Sequence, residues 1–451
     1  MKFLTRRFSC FFLPISLVIH FISPLLSAEA EWTVLIYAQA KNSLSNFAPK
    51  NFDDMSKIGS TKNLNILVQW YQFGQQGIWR YKIEKGKMNL EVNVPTPTDG
   101  NNVHDLVDAM QWAVSKYPAK KYCLILWNHG LGILDPVWGN SLFIINPKAL
   151  NNPRIQIAGL TIESDFRTAG FFESAAPEVD VEHHRGILFN EQSKTYMNNQ
   201  SLAQALSEIK TKVLNNRKID VLGMDACLMA MTEIGYQVRD YANYLVGSQE
   251  VELAHGWNYA TVLQKFSQPQ ITALDVAKGI VSAYGAHYKD KIQFHTQSAI
   301  DLNKIHYLKE ALDQIVVDIA TCKKADKNNF FGVVKKARGQ CVQLSAASYV
   351  DLHSFLSELS KNIVSHYETG SIKKEISLVQ ALNSLKKSLQ VGMNVLEDTV
   401  IANSTGKFLE RAKGLSIYFP HSGLDASYIK TEFAQECLWA SFLHEVMQYK
   451  S

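Results

Sequence analysis

The sequence predicts an α/β protein: a three-layer sandwich with a mostly parallel central sheet, followed by a smaller, mainly helical C-terminal region. Three observations carry this prediction. Short β-branched, apolar runs alternate with amphipathic segments as far as about residue 270, which is the rhythm of strand–helix–strand units. The runs are apolar along their length rather than at every second residue, as strands buried on both faces are. Beyond about residue 271 helical spacing dominates.

The elements follow in order. Residues 32–37 (WTVLIY) form the opening strand. Residues 44–58 have helical spacing, 64–70 are a second buried strand, and 77–83 a third, linked to it as a hairpin. In 103–115, Val103, Leu106, Val107, Met110 and Ala113 fall on one helical face. Residues 122–127 are a strand that runs directly into Asn128-His129-Gly130. From 134 to about 181 the rhythm breaks into Asn, Pro, Ser and Gly, so 134–200 is read as a long loop, and loops of that length usually have a function of their own or are disordered. A strand at 185–190 and a helix at 201–214, with Asn199 as N-cap, resume the pattern. The strand 219–224 ends at Asp225-Ala226-Cys227, with a helix expected over 228–241 and a strand over 244–248. Helices are expected at 274–288, 302–319, 348–365 and 375–391, interrupted by one strand-like run, 414–419. These elements divide the chain into an α/β domain, 31–270, and a mainly helical domain, 271–451.

Composition bounds the function. A chain of 451 residues with 46% hydrophobic and 20% charged side chains supports a sizeable core. Lys2, Arg6 and Arg7, the apolar run 11–26 and Ala28-Glu29-Ala30 together form a secretory signal pattern, with cleavage expected after Ala30. Pro14, His20 and Pro24 interrupt the run, and it is short for a membrane span. No later stretch reaches the roughly 18 apolar residues of a transmembrane helix, so no stable span is expected after signal removal. The net charge of +4 is too small, and too concentrated at the N-terminus, to mark a nucleic-acid-binding surface. Of the six cysteines, removal of Cys10 leaves five, an odd number with at least one free thiol. Cys123 lies in an apolar strand and reads as core; Cys322 and Cys341 flank a Lys-rich loop and are candidates for a disulfide.

In open α/β sheets, sites form beyond the carboxyl ends of the strands. Two strands end in residues able to do chemistry, one at His129 and one at Cys227. A thiol with an ordinary pKa of about 8.5 needs a base or a thiolate-favouring environment. Histidine can take that proton and later deliver it to a leaving amine. The N–H groups of Gly130 and Cys227, the latter at the start of the expected helix, would form an oxyanion hole, and the helix N-terminus would favour the thiolate. Against this stands a plainer reading, in which Cys227 is buried core and His129 a hydrogen-bonded loop residue.

The local sequences tip the balance. Residues 32–38, Leu124-Ile-Leu-Trp-Asn-His-Gly130, Gly223-Met-Asp-Ala-Cys-Leu-Met-Ala230 with Glu233, Ser248-Gln-Glu250, His255-Gly-Trp-Asn-Tyr259, Ser298-Ala-Ile-Asp-Leu302 and Gly414-Leu-Ser-Ile-Tyr-Phe-Pro420 occur in order along most of the mature chain. Together they resemble the clostripain family of cysteine peptidases, whose catalytic domain is related to the caspases and gingipains. The resemblance implies a caspase-like fold, Cys227 as nucleophile, His129 as acid/base, and cleavage of peptide or protein substrates after Arg or Lys. It places Asp225 where an acidic residue would receive such a cation, a fit strengthened when both oxygens engage; the alternative is that Asp225 caps the following helix. Glu250 and Glu252 are further candidates for that pocket, and Glu233 is read as structural. The chain departs from the family at Leu131-Gly132-Ile133-Leu134-Asp135, where members often carry glycines and a tryptophan. Maturation by cleavage between histidine and nucleophile, common in the family, would fall at Lys148, Arg154, Arg167, Arg185 or Lys194.

No cofactor is required by a thiol mechanism. The family leaves calcium open, and Asp165, Glu173, Glu178, Asp180 and Glu182 form an acidic stretch without EF-hand spacing. His183-His184 are adjacent and so point to opposite faces of a strand; no metal is assigned to them. Two functions from other classes compete with the peptidase: a catalytically silent binding or adhesion module on the same fold, and a zinc hydrolase near His183, which lacks H-E-x-x-H or an equivalent ligand set.

Overall fold

The computed structural model describes residues 29–134, 186–326, 330–368 and 375–449. Its strands, in chain order, are β1 (Ala30–Ala40), β2 (Leu64–Gln72), β3 (Ile78–Glu84), β4 (Lys87–Val94), β5 (Ala119–Trp127), β6 (Ile187–Asn190) and β7 (Thr195–Met197). They continue with β8 (Ile219–Asp225), β9 (Ala242–Gly247), β10 (Thr296–Asp301), β11 (Tyr349–Asp351), β12 (Val400–Thr405) and β13 (Ser416–Tyr418). Nine of them form one sheet in the order β12-β10-β9-β8-β5-β1-β2-β3-β4, and β6/β7 and β11/β13 form two small ribbons. The five central strands, β9 to β2 in that order, are parallel, and an antiparallel pair closes each edge.

Side-chain alternation along β1 shows why both faces are covered. Leu35 and Tyr37 enter one core, whereas Trp32, Val34 and Ile36 enter the other. Against the first face pack the helices Val103–Lys116, Asn199–Glu208 and Thr232–Val238, joined by Ile305–Ala325, Leu352–Ile363 and Trp439–Gln448. Against the second pack Ala48–Ile58, Tyr259–Phe266 and Ala273–Tyr288. The expected three-layer α/β sandwich is therefore present, as is the helical C-terminal region.

Several expectations are corrected. The boundary near 270 does not separate two cores: β10 and β12 lie beyond it and complete one edge of the main sheet. Their sequences, TQSAID and VIANST, carry little apolar signal although β10 is buried almost throughout. The run 414–419 contributes β13 to a ribbon with β11 rather than to the main sheet. The helix after Cys227 begins at Thr232, not at Leu228, because Leu228 adopts a left-handed φ of 62° that no continuing helix accommodates. The N-cap of the helix Asn199–Glu208 is Asn198, whose side chain accepts from Ser201 N; Asn199 instead donates to Ile133 O at 3.0 Å. Cys322 and Cys341 are both buried free thiols, not a disulfide, and Cys123 is core as expected.

Candidate active site

Strands β5 and β8 are parallel neighbours with Trp127 opposite Asp225. Each continues two residues further to its candidate, so His129 and Cys227 leave the sheet at the same level. Asn128 fixes the first departure. Its N–H donates to Asp225 O at 3.3 Å, its Oδ1 accepts from Phe189 N at 2.7 Å, and its Nδ2 donates to Phe189 O at 3.1 Å and to Gln39 O. Gly130 then bridges to Ile187. A Cβ at Gly130 would lie 2.5 Å from Cys227 O and 3.0 Å from Ala226 Cβ, so only glycine lets the two strand-end turns touch.

Cys227 sits in a turn before Thr232, where the following helix starts, and not in the first turn of that helix as expected. The loop after β9 holds it instead. Leu228 N–H donates to Glu250 O at 3.1 Å and Ala230 N–H to Ser248 O at 2.9 Å. Glu252 N–H donates to Cys227 Sγ at 3.2 Å, and the thiol faces Glu252 O at 3.7 Å. Burial pushes the thiol pKa well up; the Glu252 N–H acts the other way, and the charges of Glu252, Glu250 and Asp225 add to the rise.

His129 is buried beside Phe189, ring edge to ring face at 6.5 Å. Its Nε2 is 3.0 Å from Ser43 Oγ and 3.7 Å from Glu191 Oε1. Ser43 donates to Glu191 twice, from N at 2.9 Å and from Oγ at 3.1 Å. With the hydroxyl proton on Glu191, the Ser43 oxygen is left to accept a proton carried by His129 Nε2. Burial raises the Glu191 pKa, and the two Ser43 bonds oppose this. Among the described residues no hydrogen bond joins His129 to Cys227, but both line one narrow cleft together with Trp127, Asp225, Glu252 and Gly256.

Asp225 does not cap a helix. Its Oδ2 accepts from Tyr259 OH at 2.8 Å and from Trp257 N at 3.3 Å, and burial pushes its pKa up to about 6. Glu252 is raised well above the carboxylate range by burial and then by the Asp225 charge, so the buried pair favours holding a shared proton. Glu252 also faces the Trp257 and Gln297 side chains, which act to lower its pKa against burial. Glu250 is placed elsewhere: its carboxylate accepts from Ser345 N at 2.9 Å and Val251 N at 2.7 Å, tying in the segment before β11 rather than lining the cleft. Burial pushes it up to about 7. Glu233 is structural, accepting from Tyr418 N at 2.8 Å, with its pKa pushed by burial up to about 8.

Ser43 and Glu191 escaped the sequence reading, because neither adjoins a strand-end motif and only the fold brings them to His129. Lys194 lies in the turn between β6 and β7 with φ 54°. Lys148, Arg154, Arg167, Arg185, the acidic stretch 165–182 and His183-His184 lie outside the described residues. No group of three or more His, Cys, Asp or Glu side chains among the described residues is arranged to hold a metal ion.

Comparison with known proteins gives the family and the fold. A family model described as the clostripain family matches residues 36–139 and 173–445. Clostripain of Hathewaya histolytica is 21% identical over 449 aligned residues, covering 86% of this chain and 74% of its own length. Among solved structures, a secreted cysteine protease of Bacteroides thetaiotaomicron in complex with an irreversible peptide inhibitor superposes with a TM-score of 0.56 at 18% identity, covering 91% of this chain and 99% of that one. An inactive zymogen protease of Parabacteroides distasonis gives the same TM-score and identity, covering 91% and 98%. At that identity the structural likeness speaks for the fold.

Proposed function

The chain belongs to the clostripain family and is a cysteine-type endopeptidase; from that premise we propose that Cys227 is its nucleophile, His129 its acid/base, and peptide bonds after Arg or Lys its targets. One observation carries the proposal: the Trp127–Asp225 register sets His129, Cys227 and two buried carboxyls around a single cleft. A guanidinium or ammonium entering that cleft meets Asp225 and Glu252, and its charge draws the shared proton off them. Cys227 Sγ attacks the carbonyl carbon while its proton passes to His129. The oxyanion is received by the N–H groups of Gly130 and Cys227. His129 then gives the proton to the leaving amine, a thioester remains on Cys227, and water activated by His129 releases the acid. These steps need no resident cofactor, and turnover is expected to be equal with and without a chelator.

We further propose that the protein is exported. The charged, apolar and small-residue pattern of the first thirty residues supports this. Among the described residues no helix is long and apolar enough to cross a membrane.

The test uses mature wild-type protein and Cys227→Ala on reporter peptides ending in Arg, Lys, Asp or Leu. Wild type should cleave the Arg and Lys peptides, and Cys227→Ala should lose at least about 10³-fold in kcat. Asp225→Asn should lower kcat/KM for Arg by about 10- to 100-fold. Equal turnover by wild type and Cys227→Ala would remove the thiol mechanism, and preference for Leu or Asp would remove the basic pocket.

A further inference from the structure

The loop 253–258 separates the catalytic cleft from a second open cavity of about 220 Å³, and Leu253 and Gly256 line both. The partition is braced from the far side: Asn51 Nδ2 donates to His255 O at 3.0 Å, and Tyr288 OH donates to Gly256 O at 2.7 Å. The second cavity is basic. Lys50 comes from the helix Ala48–Ile58 and Lys291 from the turn after Ala273–Tyr288. Both are exposed, and neither has an acidic partner among the described residues. Lys291 Nζ lies 3.1 Å from His287 Nε2, and Asn258 Nδ2 lies 3.1 Å from His287 Nδ1. The one carboxylate in the lining, Asp54, is already paired with Lys57. Trp257, Tyr288 and Ile292 supply apolar wall. Two unneutralised cations, amide and imidazole groups and an apolar wall are what a short carboxylate side chain needs: charge for its head and a surface for its stem.

We propose that this cavity is a subsite for an acidic side chain of the peptide substrate, filled while neighbouring residues of the same peptide occupy the Cys227 cleft. The inference rests on the endopeptidase reading above. It gives a function to two lysines that form no ion pair among the described residues. The cavity is continuous with the rim of the catalytic cleft, so a chain crossing Leu253 and Gly256 delivers a side chain directly to them.

Reporter peptides with Arg at the cleaved position and Asp, Ala or Lys placed in turn at each flanking position test this on wild type and on the Lys50→Ala/Lys291→Ala double variant. At one position Asp should improve kcat/KM over Ala by about three- to tenfold, as expected for two exposed charges. The gain should come through KM, and Lys at that position should be worse than Ala. In the double variant the gain should vanish while the Ala peptide is turned over as before. A second measurement uses fluorescent peptides on Cys227→Ala protein: polarisation should show tighter binding of the Asp peptide, lost when both lysines are removed. No acidic advantage at any position, or an advantage that survives in the double variant, overturns the subsite. If wild type cleaves none of the peptides, the cleavage preference fails, and polarisation still decides the subsite on its own.

Discussion

Burial keeps the Cys227 thiol protonated at rest, with Glu252 N–H against its sulfur and three carboxyl groups raising the cost of a negative charge. In the proposed mechanism deprotonation is coupled to substrate entry, which would bring a cation to Asp225 and Glu252. It follows that haloacetamide labelling of Cys227 in the free enzyme should rise with pH and reach no plateau below about pH 9. A plateau near neutrality, read by mass spectrometry, would instead reveal a ready-made thiolate. His129 is oriented through Ser43 and Glu191, which act as positioning residues. Glu191→Gln should lower kcat by about tenfold with little change in KM. Removing a negative charge beside the imidazole should also move the acidic limb of the kcat profile to lower pH. An unmoved limb, even with reduced activity, would make Glu191 merely structural.

At the scale of elements, the site depends on two turns that touch. The close approach at Gly130 belongs to the pairing of β5 with β8, not to any single side chain. Gly130→Ala would place a methyl group 2.5 Å from Cys227 O, and the turns would have to part. A misplacement of that order costs about 10²-fold in rate, whereas the overpacking should cost only about 1–3 kcal/mol of stability. Measured together, kcat/KM should fall far more than the melting temperature; an unchanged kcat/KM would show that the turns yield without disturbing the reaction. Glu250 also acts between elements. Through Ser345 N it joins the loop that clasps Cys227 to the C-terminal segment, so a segment distant in sequence helps hold the Cys227 loop.

Over the whole molecule, buried acids set the pH dependence of stability. Burial raises Asp225 to about 6, Glu250 to about 7 and Glu233 to about 8. Each folded-state carboxyl holds its proton where the unfolded chain has released it. Its stabilising contribution is therefore whole below the ordinary carboxylate range and lost as pH rises to the folded-state value. His287, His295 and His421 are lowered from 6.5 by burial and act oppositely, costing stability as pH falls below that value. Between about pH 6.5 and 8 only the acids change, and the melting temperature should decline there. Glu233→Gln should flatten that decline, with each kcal/mol regained raising the melting temperature by about 1 °C in a chain of this length. A wild-type melting temperature that is level or rising over this range would contradict the assignment.

Much of this was legible in the sequence because it is written in local signals. Apolar strand runs, helical spacing and the two strand-end motifs around His129 and Cys227 each lie within a few consecutive residues, and the order of those motifs marked the family. The edge strands β10 and β12 were not legible, since their polar sequences are accepted into the sheet by neighbours rather than by hydrophobicity. Nor was the turn at Leu228, whose left-handed backbone is imposed by the bonds of Cys227, Leu228 and Ala230 to the loop after β9. The tertiary structure alone decided which acid faces the cleft: Asp225 and Glu252 do, while Glu250, two residues from Glu252 in the chain, turns to Ser345. It also brought Ser43 and Glu191 to His129, and Lys50 and Lys291 to one cavity. Sequence determines which groups are present and which elements carry them; the pairing of β5 with β8, and the packing of the loops around it, determines which of those groups meet.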